Sequence, residues 1–231
     1  MRKFIFILCA GLFSLPLISQ RPLWDSRQLG LEEATHLSPH LLQMAQWINM
    51  ARTQPKDFAR MVFGPNVNAW PQPTENKRTV QYDWLSAKGK ETKEVVIQWF
   101  PSDDFSDAVK ELYDQLMNME PLKPLRIQKA MEPALLAHLK FLAQTSSLSH
   151  TGEKGSTANQ RIKAAVPQAT QTGENLIMGI QAPESALISL LLDDGVPSRG
   201  HRHNLLSAQF THVALAHHGS YYGQAFVCCF K

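Results

Sequence analysis

The chain has 231 residues, 44% of them apolar and 19% charged, with a formal net charge of +3. That length allows one good-sized domain with extras, or two small ones. Loss of Arg2 and Lys3 with an N-terminal leader would bring the charge to +1, a balance that gives no electrostatic case for nucleic acid or an acidic membrane as partner.

The first residues have a character of their own. Met1-Arg2-Lys3 is a basic start, and Phe4 to Ile18 is almost unbroken apolar sequence. These are the n-region and h-region of a secretory signal peptide over residues 1–19, with Ser19 as the residue before the cut. The apolar run is too short for a comfortable membrane span. The expectation is a secreted, periplasmic or cell-envelope protein with no transmembrane segment after cleavage. Export usually favours disulfides. The mature chain, however, keeps only the adjacent Cys228 and Cys229, whose pairing would be strained, so a disulfide scaffold is excluded.

Residues 20–37 read as an irregular leader, and the domain proper as 38–231. Ser38-Pro39 is a helix start, with Ser as N-cap and Pro at N1. Leu41, Met44, Ala45, Ile48 and Ala51 then share one helical face. Pro55 begins a second helical piece. From about 64 to 104 Pro, Asn, Gln, Lys and Thr dominate. This stretch reads as an insertion, either a loop or a hairpin of its own, with Val95 to Phe100 as a strand candidate.

Further helices are expected over about 106–119, 132–146 and 160–165. Another starts at Pro183, and Gly195 and Pro197 stop it. Leu187, Leu190, Leu191 and Asp194 continue one face of that helix. Leu176-Ile177-Met178 is an apolar strand. Val213 to His217 and Gly223 to Phe230 flank a terminal hairpin loop. Helices first and the clearest hairpin last suit an α+β layered domain rather than alternating βαβ units.

Three strings place an ionisable side chain beside Gly on a tight connection: Ser149-His150-Thr151-Gly152, Gly173-Glu174-Asn175, and Gly200-His201-Arg202. Each alone is weak, because a loop His is more often solvated or capping. Their order, behind Ala137-His138 and ahead of a terminal hairpin, resembles the CAP superfamily of cysteine-rich secretory, antigen 5 and pathogenesis-related proteins, also called SCP-like extracellular proteins. The likeness covers about residues 106–230 and extends to Ile48-Asn49-Met50-Ala51-Arg52.

The resemblance implies an α-β-α sandwich with a small antiparallel sheet between helical layers. It also implies a central cleft holding two His and two acids. His150, Glu174 and His201 match three of these. Asp194 is taken as the fourth, with Asp193 as the rival. Such a quartet suits Zn²⁺ or another divalent metal, with His150, His201 and Glu174 as ligands. It equally suits a hydrogen-bonded network that only holds the loops.

No complete nucleophile-and-base arrangement is present. Gly195 to Gly200 is one residue out of register for a nucleophile elbow. The favoured function is therefore non-enzymatic binding of a lipid, an envelope component or a protein. The alternatives are a metal-dependent, peptidase-like hydrolase using His150, Glu174 and His201, and a structural envelope protein.

Overall fold

The computed structural model describes residues 21–64 and 76–228. The signal-peptide reading and residues 65–75 of the expected insertion lie outside them. The elements in order are β1 (Leu23–Asp25), α1 (Pro39–Thr53), α2 (Pro55–Phe63), β2 (Lys77–Ser86), β3 (Gly89–Gln98), α3 (Phe105–Asn118), β4 (Arg126–Ile127), α4 (Glu132–Thr145), α5 (Ala158–Ala165), β5 (Thr172–Met178), α6 (Pro183–Leu192), α7 (Gly200–Leu206), β6 (Phe210–His218) and β7 (Tyr221–Cys228).

The main sheet has the order β4-β6-β7-β5, antiparallel except for the short parallel pairing of β4 with β6. Side chains alternate along β7, as a strand requires. Tyr222 and Phe226 enter the larger core, with α1, α2, α3 and α6. Ala225 and Val227 enter a smaller core, with α4 and α5. Gly223 faces α4, where a Cβ would lie 2.8 Å from Leu135 Cδ1 and 3.2 Å from Leu139 Cδ2. Helices therefore cover both faces of the sheet, and the fold is the expected α-β-α sandwich.

Local sequence chemistry sets the helix starts. The Ser38 hydroxyl accepts from the Leu41 N–H, and Pro39 occupies the first turn of α1. Proline also opens α2 and α6. At α5, Thr157 and Gln160 form a reciprocal capping box, which starts the helix two residues before the expected position.

Two expectations are corrected. Residues 21–37 are folded onto the domain: β1 pairs in parallel with β2, and Trp24 and Leu29 are fully buried. The described part of the 64–104 segment is a hairpin, one of the two expected readings, but it belongs to the fold rather than standing apart as an insertion. Strands β2 and β3 form a hairpin that places Val80, Tyr82 and Ile97 in the larger core. Tyr82 meets Trp24 and Trp47 edge-on, at ring-centroid distances of 5.6 and 6.1 Å. Polar composition concealed this because the outward residues of β3, Val96 apart, are polar while Ile97 is buried. Among the described residues, no helix is long and apolar enough to cross a membrane.

Two buried polar residues of α1 fix the segment ahead of β4. The Asn49 side chain donates to the Leu29 and Leu125 carbonyls and accepts from the Leu125 N–H. Arg52, 1% exposed, donates to the carbonyls of Lys123, Leu205, Ser207 and Phe210. Burial pulls its guanidinium pKa down to about 10, and among the described residues no carboxylate pairs with it. It holds α1, the 121–125 segment and the α7–β6 connection together.

Replacing Arg52 by Met should leave those carbonyls without donors and cost about 3 kcal/mol or more. Arg52→Lys should lie between Met and wild type. Urea denaturation of the three proteins measures this.

Candidate functional site

Glu174 stands on β5 with its side chain toward α4 and α5, and it is nearly buried. The Nδ1–H of His150 donates to its Oε1 at 2.9 Å. Arg161 Nη2 on α5 donates to both carboxylate oxygens, at 2.9 and 2.8 Å. Burial alone would raise the pKa of Glu174. The bonds from His150 and Arg161 more than offset that and hold it below the usual glutamate range.

Beneath it His138 is buried and donates from Nε2 to the Ser149 carbonyl at 2.9 Å, which positions the loop that carries His150. Burial pushes the pKa of His138 down. Gly152 sits against this cluster: a Cβ there would lie 2.8 Å from Arg161 Nη1 and 3.1 Å from His138 Nδ1. The glycine of the His-Thr-Gly string is thus a packing requirement.

The second pair lies on the other side of β5. Helix α6 ends at Leu192, and Asp193 follows in the left-handed conformation, with φ of 51°. That turn points the Asp193 carboxylate at the start of α7. There it accepts from the His201 N–H at 2.8 Å and from His201 Nδ1 at 2.6 Å. Arg202 locks the corner by donating to the carbonyls of Leu191 and Leu192 that end α6.

Asp193 is therefore the acid beside His201, and the choice of Asp194 is corrected. Asp194 turns away and accepts from the backbone N–H and hydroxyl of Ser102. The helical face that pointed to Asp194 stops at Leu192, so its periodicity does not extend to residue 194. Helix α7 itself was missed: Gly200-His201-Arg202 reads as a loop, since Gly and His are weak helix formers.

A cleft of about 320 Å³ opens beside this second pair. Leu176 belongs to the smaller core and Ile177 packs on the larger one, yet both line the same cleft, with Met178. The cleft therefore follows the outer edge of β5, where the sheet ends. Phe100, Leu148 and Met178, which line it, are 63%, 49% and 46% exposed. Asp193 and His201 form a polar part of the wall.

These residues do not fit a metal as they are placed. A fixed cation, Arg161, already takes both oxygens of Glu174. Among the described residues, no three His, Cys, Asp or Glu side chains are grouped to hold an ion. His217 belongs elsewhere, its ring tilted against those of Tyr222 and His40 at centroid distances of 4.4 and 5.2 Å. Arg161 and His138 are the residues that sequence reasoning left out. The Ala137-His138 string signalled the latter, while Arg161 lies in an ordinary amphipathic helix.

Helices on both faces of a small sheet, with a His–acid pair on each side of one edge strand, define a CAP-type domain. The chain belongs to the cysteine-rich secretory protein (CAP) family, whose model matches residues 111–230. No curated protein matches it significantly. Among solved structures it is similar to an extracellular SCP-domain protein from Bacillus anthracis, at 20% identity and a TM-score of 0.42; the match covers 59% of this chain and 47% of that one. An outer surface protein from Borrelia burgdorferi is 19% identical, with a TM-score of 0.41 and coverages of 54% and 88%. A cysteine-rich secretory protein from Staphylococcus aureus is 12% identical, with a TM-score of 0.38 and coverages of 84% and 61%. The chain thus spans about half the length of the Bacillus protein.

Because Glu174 is held below its unfolded pKa, it contributes stability that is fully present above about pH 4.3 and lost as pH falls through the lower folded value. Glu174→Gln should cost about 1–3 kcal/mol at neutral pH and flatten the acid limb of a stability–pH curve. Asp193→Asn should lower the melting temperature clearly more than Asp194→Asn, and it alone should shift the His201 ring resonances in an NMR spectrum.

Proposed function

We propose that this chain is an exported, non-enzymatic binding domain that holds an amphipathic ligand in the cleft along the β5 edge. The sources of such a ligand are a lipid, an envelope component or a segment of another protein. One observation carries the reading: three strongly exposed apolar side chains, Phe100, Leu148 and Met178, come from three separate segments and converge on one cleft. Large apolar side chains left in water beside a concave surface mark a place where something binds. The His201–Asp193 pair supplies the polar contact, since Nδ1 faces the aspartate and Nε2 has no hydrogen-bond partner among the described residues. Export rests on the basic and apolar start of the sequence.

Hydrolysis is the weaker reading. Both His–acid pairs would suit a general base. However, among the described residues neither His150 nor His201 bonds to a Ser, Thr or Cys side chain, so no activated nucleophile is in place.

The test uses an apolar, environment-sensitive fluorophore that wild type should bind saturably. Phe100→Ser and Met178→Ser, both at exposed positions, should weaken binding at least fivefold with unchanged melting temperature. Glu174→Gln should leave it near wild type. Equal binding by the serine variants would remove the cleft reading, and loss of a measurable turnover in Glu174→Gln would favour the enzyme.

A further inference from the structure

A second cleft, about 700 Å³, lies away from the β5 edge, where the segment before β4 meets β6. It is lined by Arg52, Pro121 to Pro124, Arg126 and the stretch 208–212 short of Gln209. Its charge is one-sided: among the described residues Arg52, Lys123 and Arg126 line it, and no carboxylate does. At its margin Glu33 pairs with Arg126 at 3.6 Å, both side chains being mostly exposed.

The backbone that carries the cations is held by a rigid frame. Leu122 N–H donates to the Arg52 carbonyl at 2.8 Å, Arg52 Nε donates to the Lys123 carbonyl at 3.2 Å, and Asn49 grips Leu125 from both sides. Arg126 is fixed in register opposite His212 by the β4–β6 pairing. Burial, and then the charge of Arg126, push the His212 pKa down, and its Nδ1 is bonded to the Thr211 hydroxyl. A fixed backbone keeps Lys123 and Arg126 beside one cleft, so an arriving anion has only their side chains to order.

We propose that this cleft is a binding site for a phosphate monoester. Three permanent positive charges, one of them partly countered by Glu33, match a group that carries close to two negative charges at pH 7. The Arg126 guanidinium offers a planar fork to two phosphate oxygens, and Lys123 offers a mobile point charge. Pro121, Leu122, Pro124 and Phe210 form the apolar part of the lining, and they receive the ester group. The site is separate from the His201 cleft and does not depend on the function proposed for it.

The experiment is a calorimetric titration of the folded protein with phenyl phosphate and with inorganic phosphate at low ionic strength. Phenyl phosphate should bind saturably, more tightly than inorganic phosphate, and more weakly as salt is added. Lys123→Ala/Arg126→Ala, two exposed positions, should weaken it at least tenfold with the melting temperature unchanged. Glu33→Gln should tighten it about twofold, a gain that a purely structural role for these residues would not produce. Absence of saturable binding by wild type, or equal affinity in the double variant, would overturn the site. Equal affinity for the two phosphates would overturn the assignment to an ester.

Discussion

Strand β7 has no face toward water. From Tyr221 to Val227 every residue is buried, so apolar surface has to be covered on two sides at once. One layer comes from α4 and α5, and the other from α1, α2, α3 and α6. The close seat of α4 on Gly223 and the two antiparallel neighbours of β7 both follow from this central position. The sheet stays small because one edge strand, β4, has only two residues and the other, β5, receives no further partner among the described residues.

The position of β5 at that edge generates the polar site. Alternation along an edge strand sends Glu174 to one helical layer and Asn175 to the other. Glu174 meets His150, Arg161 and, beneath them, His138. Asn175 donates to the His201 carbonyl and accepts from Asn204, both on α7. The two histidines therefore pair with different acids, His150 with Glu174 and His201 with Asp193, each pair built on its own layer. Between the layers the strand edge leaves a groove with apolar walls.

The two clefts are opposite in chemistry because different constraints made them. At the β5 edge, apolar residues of several segments run out of sheet to cover. Before β4, the buried Arg52 needs acceptors, and it takes them from backbone carbonyls rather than from a carboxylate. Its charge is left uncompensated, and the segment it fixes carries Lys123 and Arg126. A carboxylate partner would have cancelled that field.

Much of this was legible in the sequence. Ser38-Pro39 and Pro183 announced their helices because caps and first-turn prolines act locally. The order of the His150, Glu174 and His201 strings carried the family and, through it, the layered fold. What the sequence could not contain was contact across distance. The polar look of residues 77–98 allowed a hairpin but hid that it joins the core. The choice between Asp193 and Asp194 depended on where α6 ends and how the chain turns there. Arg161 and His138 joined Glu174 only through the packing of α4 and α5 on β5. The sequence by itself determined the local starts, the periodic faces and the membership of the family. Tertiary structure alone decided which side chains face each other, because partners across a sheet are chosen by packing and not by spacing along the chain.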